Sequence, residues 1–132
     1  MSRPKVVICS SFRKDPAGLG KLFRELETNG CRILSPLTLD FTDTESEFVT
    51  AQNDESYSVQ ELERYHLRAI RDADFVMLHA PEGYVGTSAS FELGYAIALG
   101  IPVFGKTKVT DQMLQTQVTA SESVFEILET IS

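Results

Sequence analysis

Short unbroken apolar runs alternate with amphipathic stretches over most of the chain, and that alternation predicts its elements. Val6 to Cys9 is a continuous apolar run, the pattern of a strand buried on both faces. A polar turn follows, and from about Gly18 to Thr28 the residues Leu19, Leu22, Phe23 and Leu26 recur at helical spacing. Asn29-Gly30 ends that helix, and Cys31 to Leu34 forms a second short strand before Ser35-Pro36. Strand, helix and strand with tight joints make a crossover unit of a parallel sheet. Ser58-Val59-Gln60-Glu61 is a capping box, and Val59, Leu62, Tyr65 or His66, and Ala69-Ile70 carry the helix to Asp72. Phe75 to Ala80 and Ile101 to Phe104 are the third and fourth strands; Leu114 to Thr119 is a fifth edge strand, and Ala120 to Ile131 a closing helix. Leu37 to Ser58 resists assignment: it is acidic and polar, with Phe41, Phe48 and Tyr57 spaced along it, and reads as a flexible acidic loop or, preferably, as a lid carrying aromatics over a pocket.

The stretch from Gly83 to Gly105 stands out because it carries one side chain that is charged at neutral pH, Glu92. Gly83 to Ser88 is turn chemistry, with Thr87 or Ser88 as the expected N-cap of a helix running through Leu99. Gly100 is placed to end it and Pro102 to prevent its continuation. That puts Glu92 in about the first turn of a helix whose apolar residues leave no broad solvated face, which predicts packing on more than one side. Helical side chains lean toward the N-terminus, so the carboxylate points back at the Gly-Thr-Ser loop. A dipole contribution of ~0.3–1 kcal/mol explains an acid near a helix start. It does not explain why the acid is alone, and an isolated carboxylate facing a glycine-rich loop is the signature of a site.

Five strands at most, alternating with helices in 132 residues, imply one domain: an open, doubly wound parallel α/β sheet of four to five strands, flavodoxin-like and three-layered α/β/α. Val6–Cys9 should lie inside it, flanked by Cys31–Leu34 and Phe75–Ala80, with Ile101–Phe104 beyond. Ligands of such sheets bind beyond the carboxyl ends of the strands. Those ends are Ser10-Ser11-Phe12-Arg13, Pro81 to Ser88, and Gly105 to Lys108, and Glu92 faces the same rim. Ser10, Ser11 and Arg13 suit a phosphate or sugar hydroxyls. Phe12 and Tyr84 offer stacking faces, Gly83, Gly86, Thr87 and Ser88 a close backbone approach, and His79 a polar wall. No GxGxxG or GxxxxGK[ST] occurs, which disfavours a dinucleotide fold and a P-loop.

Charge and cysteine usage narrow the partners. A net charge of −7 argues against nucleic-acid polymers and anionic membranes. No apolar run approaches ~20 residues and MSRPKVVICSSFRK lacks a signal-peptide core, so a cytoplasmic protein is expected. Cys9 and Cys31 lack metal-like spacing, and His66 and His79 lack companion ligands in sequence, so no metal site is expected.

Val7-Ile8-Cys9-Ser10-Ser11-Phe12-Arg13, Ala73-Asp74-Phe75-Val76-Met77-Leu78 and Gly86-Thr87-Ser88-Ala89-Ser90-Phe91-Glu92-Leu93-Gly94-Tyr95-Ala96 together resemble nucleoside 2-deoxyribosyltransferases and the related 2′-deoxynucleoside 5′-monophosphate N-hydrolases. The resemblance covers most of the chain through Phe104, and its last segment is the most specific. It implies a flavodoxin-like fold, Glu92 as catalytic nucleophile, and a first-strand turn that shapes the pocket. In the hydrolase branch that turn binds the 5′-phosphate, and Ser11-Phe12-Arg13 match its Ser-x-Arg. Two departures stand out. An Asp usual in the family, eight residues ahead of the Asp of the Ala-Asp strand, is His66 here, and Ser88 stands where the hydrolase branch has glycine. Because the family Asp helps to handle the proton of the leaving base, His66 either takes over that role or the chemistry is altered.

The resemblance implies double displacement at a sugar anomeric carbon: Glu92 attacks C1′, and water or a second base releases the sugar, without a cofactor. It also implies a small-molecule nucleoside or nucleotide as partner and a homodimer or higher homo-oligomer. Two other readings stay open: a non-catalytic nucleotide- or nucleoside-sensing module on the same fold, and an N-glycosidase acting on another nucleotide such as NAD.

Overall fold

A computed structural model of the chain describes residues 3–11, 14–37 and 58–132. The expected aromatic lid, and with it Phe12 and Arg13, lies outside the described residues. Five strands, β1 (Lys5–Ser10), β2 (Arg32–Ser35), β3 (Phe75–His79), β4 (Val103–Gly105) and β5 (Val118–Ala120), form one parallel sheet in the order β2-β1-β3-β4-β5. This is the flavodoxin-like order, and β1 lies inside the sheet between β2 and β3, as its unbroken apolar run requires.

Helices cover both faces because successive strand residues point to opposite sides. Val6 and Ile8 of β1 pack with Phe75, Met77 and Phe104 against α1 (Pro16–Thr28) and α5 (Val124–Ile131). Val7 and Cys9 pack with Val76, Leu78 and Val103 against α2 (Val59–Asp72) and α3 (Thr87–Ala98). Fully burying each of these large side chains is worth about 1.5–3 kcal/mol, so the two apolar faces of the sheet hold the three layers together.

Several boundaries differ from the sequence expectation, each for a local reason. Helix α1 begins at Pro16, because Asp15 accepts from Gly18 N at 3.1 Å and proline is suited to the first helical turn. The capping box of α2 is present as read, with Ser58 and Glu61 each bonding the other's backbone N–H. Helix α3 has Gly86 as its N-cap, with no side-chain cap, in place of Thr87 or Ser88. Gly100 has φ +78 and ends that helix as expected. The fifth strand is shorter than the expected Leu114 to Thr119: Asp111 accepts from Leu114 N and caps a single helical turn, α4 (Gln112–Gln115), which takes its first residues. Ser123 caps α5, so the closing helix starts at Val124 and not at Ala120. Among the described residues no helix is long and apolar enough to cross a membrane.

Candidate active site

Helix α3 buries Ala89, Glu92, Leu93 and Ala96, a stripe at i, i+3, i+4 and i+7. Glu92 therefore sits on the core-facing side with only 8% of its surface exposed. Starting the helix at Thr87 makes Glu92 its sixth residue, in the second turn. A helix dipole acts mainly within the first turn, so it does not account for a buried carboxylate there. The outer face of α3 is open within the chain: Phe91 is 60% and Leu99 43% exposed, which corrects the expectation of packing on more than one side.

What meets Glu92 comes from α2 and β1, and a residue of β2 backs the α2 partner. His66, on the buried face of α2, places Nε2 3.3 Å from Glu92 Oε1. Cys9 of β1 is fully buried, and its Sγ lies 3.6 Å from the same Nε2. On the other side of the ring, Ser35 Oγ lies 2.7 Å from His66 Nδ1. Ser35 reaches this face through a shift of register: Val6 pairs with Ile33 but Val7 pairs with Ser35, so Leu34 is an extra residue in β2. A one-residue slip exchanges the faces of a strand, and here it brings Ser35 into the row of Val7, under α2. Tyr65 Oη donates to the carbonyl of Leu34 at 3.1 Å, which ties the irregular residue to α2.

Glu63, three residues before His66 and half-buried, completes the group. Burial pushes its carboxyl up to about 7, helped by hydrogen bonding with Glu92 and by the charge of that neighbour. Glu92 goes the other way. Burial raises it, but the hydrogen bond and charge of His66, together with Glu63 and Cys9, outweigh burial and hold it below the ordinary carboxylate range. Burial, and then the nearby Glu92, push the Cys9 thiol well above its usual value. Neighbouring carboxyls driven in opposite directions are what a site needs when one must be ionised and the other protonated.

The opposite face of the sheet carries a second group of the expected residues. Ser10 and His79 are partners across β1 and β3 and share the parity of Ile8 and Met77, so they point toward α1 and away from Glu92. His79 Nε2 lies 3.0 Å from Asp15 Oδ2. A hydrogen bond from Gly18 N, then the contact with His79, hold the Asp15 carboxyl below its usual value. A cavity of about 170 Å³ opens here, lined by Gly18, Lys21, His79, Lys106 and Thr107 among others. Ser10 Oγ is buried and has no hydrogen-bond partner among the described residues, a state that costs a hydroxyl about 1–3 kcal/mol unless something else meets it.

The loop after β3 is organised by its backbone. Gly83 is buried with φ +81, and a Cβ on it would come 2.6 Å from the carbonyl oxygen of Lys108. Its own carbonyl accepts from Thr110 N at 3.0 Å, so it joins this loop to the one after β4. Tyr84 is exposed, with Lys14 Nζ 4.3 Å from its ring centre. Thr87 and Ser88 are exposed at the start of α3, and the carbonyl of Gly86 accepts from both the amide and the hydroxyl of Ser90 at 2.9 Å. Ser11 accepts through its carbonyl from Lys14 N at 3.1 Å and turns the chain toward α1.

The structure thus brings Glu92 and His66 together and adds Cys9, Ser35 and Glu63, none of which the sequence singled out as site residues. For Glu63 a signal existed: spacing i, i+3 places it on the His66 face of α2. Cys9 and Ser35 gave none, because which face a strand residue takes depends on register. The absence of companion ligands for His66 was a statement about spacing along the chain, and folding reverses it: Cys9, His66 and Glu92 each bring one donor atom, all within 4.8 Å of one another.

The family model for nucleoside 2-deoxyribosyltransferase matches residues 8–128. No curated protein matches the chain.

Proposed function

The chain belongs to the nucleoside 2-deoxyribosyltransferase family, and from that premise we propose that it cleaves or transfers at the N-glycosidic bond of a (deoxy)nucleoside or nucleoside 5′-monophosphate through a glycosyl intermediate on Glu92. The observation that carries this reading is the state of Glu92: buried, in the second turn of its helix, and held ionised by neighbours on two other elements, α2 and β1. A carboxylate removed from water but kept charged is a usable nucleophile, because little solvent has to be stripped from it when it attacks.

In the first step a Glu92 oxygen bonds to C1′ as the C1′–N bond breaks, and the electron pair of that bond leaves with the base. The departing nitrogen then needs a proton. Glu63 holds one near neutrality, and we assign the supply of that proton to it; His66, anchored by Ser35, fixes the orientation of the Glu92 carboxylate. In the second step water, or the nitrogen of an acceptor base, attacks C1′ and frees Glu92, and the incoming group's proton returns to Glu63. A cytoplasmic location and small-molecule nucleosides or nucleotides as substrates are the accompanying expectations; that of a homo-oligomer is supported by the exposed apolar face of α3.

The test is a screen of nucleosides, nucleoside 5′-monophosphates and NAD for released base, with and without an acceptor base. Release from a deoxynucleoside or its monophosphate supports the reading. Release from NAD alone replaces it with a different N-glycosidase. Binding without release from any of them makes the protein a sensing module.

A further inference from the structure

We infer that Cys9, His66 and Glu92 form a binding site for one thiophilic divalent cation, of which zinc is the representative. Three observations lead there. First, a thiol, an imidazole and a carboxylate from three separate elements converge with donor atoms within 4.8 Å, in a place where all three residues are buried. Second, the two spacings at His66 Nε2 are those of a coordination polyhedron. Zinc bonds of about 2.3 Å to sulfur and about 2.0–2.1 Å to nitrogen and oxygen, arranged tetrahedrally, put S and N about 3.6 Å apart and N and O about 3.3 Å apart. The observed separations are 3.6 Å for Cys9 Sγ to His66 Nε2 and 3.3 Å for His66 Nε2 to Glu92 Oε1. Third, both contacts fall on one nitrogen. A single cation on the lone-pair axis of Nε2 would bond all three groups at once, in place of the hydrogen bonds that now link them.

Ser35 fits this arrangement. A metal-bound imidazole is neutral, with its remaining proton on the far nitrogen, and that proton is normally held by a second group. Here Ser35 Oγ lies 2.7 Å from Nδ1 and accepts it. On binding, the imidazole keeps one proton, on Nδ1, and gives any proton on Nε2 to solvent; the Cys9 thiol also gives its proton to solvent, and the cation gains one sulfur, one nitrogen and one oxygen ligand. A tetrahedral ion keeps its fourth position for water. Soft sulfur with nitrogen selects zinc, or cobalt in its place, over magnesium and calcium.

Cation binding does not depend on glycosyl chemistry, but its consequence does. A Glu92 oxygen committed to a cation cannot attack C1′, so on the reading proposed above the loaded protein is inactive and a chelator restores it.

The experiment strips the full chain with chelator, dialyses it against zinc alone, and counts zinc per chain by elemental analysis. One zinc per chain is expected. Cobalt alone, added to the stripped protein, should give the intense visible bands of a tetrahedral ion and a thiolate-to-cobalt charge-transfer band. Cys9→Ser should abolish that band, Cys31→Ser should keep it, and Ser35→Ala should weaken cobalt affinity about 10- to 100-fold. No retained zinc, an octahedral cobalt spectrum, or equal retention by wild type, Cys9→Ser and Glu92→Gln as expected of cations held only on the acidic surface, would each overturn the site. The wild-type stoichiometry and spectrum decide the matter even if a variant folds poorly. Turnover is followed in parallel: one bound zinc with no turnover before or after chelation upholds the cation site and overturns the glycosyl reading instead.

Discussion

His66 Nε2 lies 3.3 Å from Glu92 Oε1, on a helix that has no contact with the Glu92 helix in sequence and meets it only through the fold. The contact offsets the burial of the carboxylate, which on its own would favour the neutral acid, and leaves an ionised group almost out of reach of water.

Replacing Glu92 with Gln keeps the shape and removes the ability to form a glycosyl ester. Turnover should fall by more than about 10³-fold while thermal unfolding and substrate binding change little. A slow 2-fluoro substrate analogue should leave a sugar adduct on the Glu92 peptide of the wild type, seen by mass spectrometry. Undiminished turnover per folded molecule in Glu92→Gln would refute the nucleophile.

Ser35→Ala leaves Nδ1 of a buried imidazole without its partner. The expected cost is about 1–3 kcal/mol of stability, measured by urea unfolding. Because His66 then no longer holds Glu92 in place, kcat should drop by up to about 10²-fold with KM little changed, and Ser35→Thr should restore much of it. A loss of stability with kcat intact would show that the serine serves the fold alone.

Glu63 sets the pH dependence. Its carboxyl is raised to about 7, so between its ordinary value and about 7 the folded protein binds a proton that the unfolded chain has released. Stability from this group therefore falls as pH rises through that window. Glu92, lowered, acts in the opposite sense: its contribution is present above the ordinary carboxylate value and is lost as pH falls through the folded one. Glu63→Gln removes the first effect only. In the presence of chelator, the wild-type Tm minus the variant Tm should shrink from about pH 5 to about pH 8. The decline of wild-type kcat/KM above about 7 should also disappear in the variant. A Tm difference independent of pH would mean that Glu63 does not share a proton with Glu92.

Gly83→Ala tests the rim. The substitution puts a Cβ against the Lys108 carbonyl in a backbone with φ +81, and neither the backbone nor the conformation yields easily. Destabilisation of about 2–4 kcal/mol is expected by chemical unfolding. A change below about 0.5 kcal/mol would show that the two loops are not joined there.

Arg13 lies outside the described residues, and its expected role rests on the match of Ser11-Phe12-Arg13 to a phosphate-binding Ser-x-Arg. A charge-assisted hydrogen bond is worth roughly 1.5–3 kcal/mol, so Arg13→Ala should weaken binding of a 5′-monophosphate by about 10- to 150-fold and of the free nucleoside far less. Equal losses for both would favour a transferase acting on unphosphorylated nucleosides.

The architecture was legible in the chain because it depends on local pattern. Unbroken apolar runs such as Val6–Cys9, a capping box at Ser58, and Gly100 before Pro102 each act over a few residues, and together they determine strands, helices and their order. Glu92 was legible for a related reason: a lone charge in an apolar stretch is visible without knowing what surrounds it. Local pattern went astray at Gly86, Asp111 and Ser123, where the choice of cap moved a boundary by a few residues. Which residues meet Glu92 was a different kind of question. Strand side chains alternate faces, so Cys9 joins Glu92 while its neighbour Ser10 joins His79 and Asp15 on the other side of the sheet, and only the pairing of β1 with β3 decides between them. The extra residue at Leu34 turns Ser35 under α2 in the same way. The sequence by itself determined the sheet, its covering helices and the carboxylate at the centre. Register and helix packing, which act between residues far apart in the chain, decided that this carboxylate is held by an imidazole, a thiol and a second carboxyl.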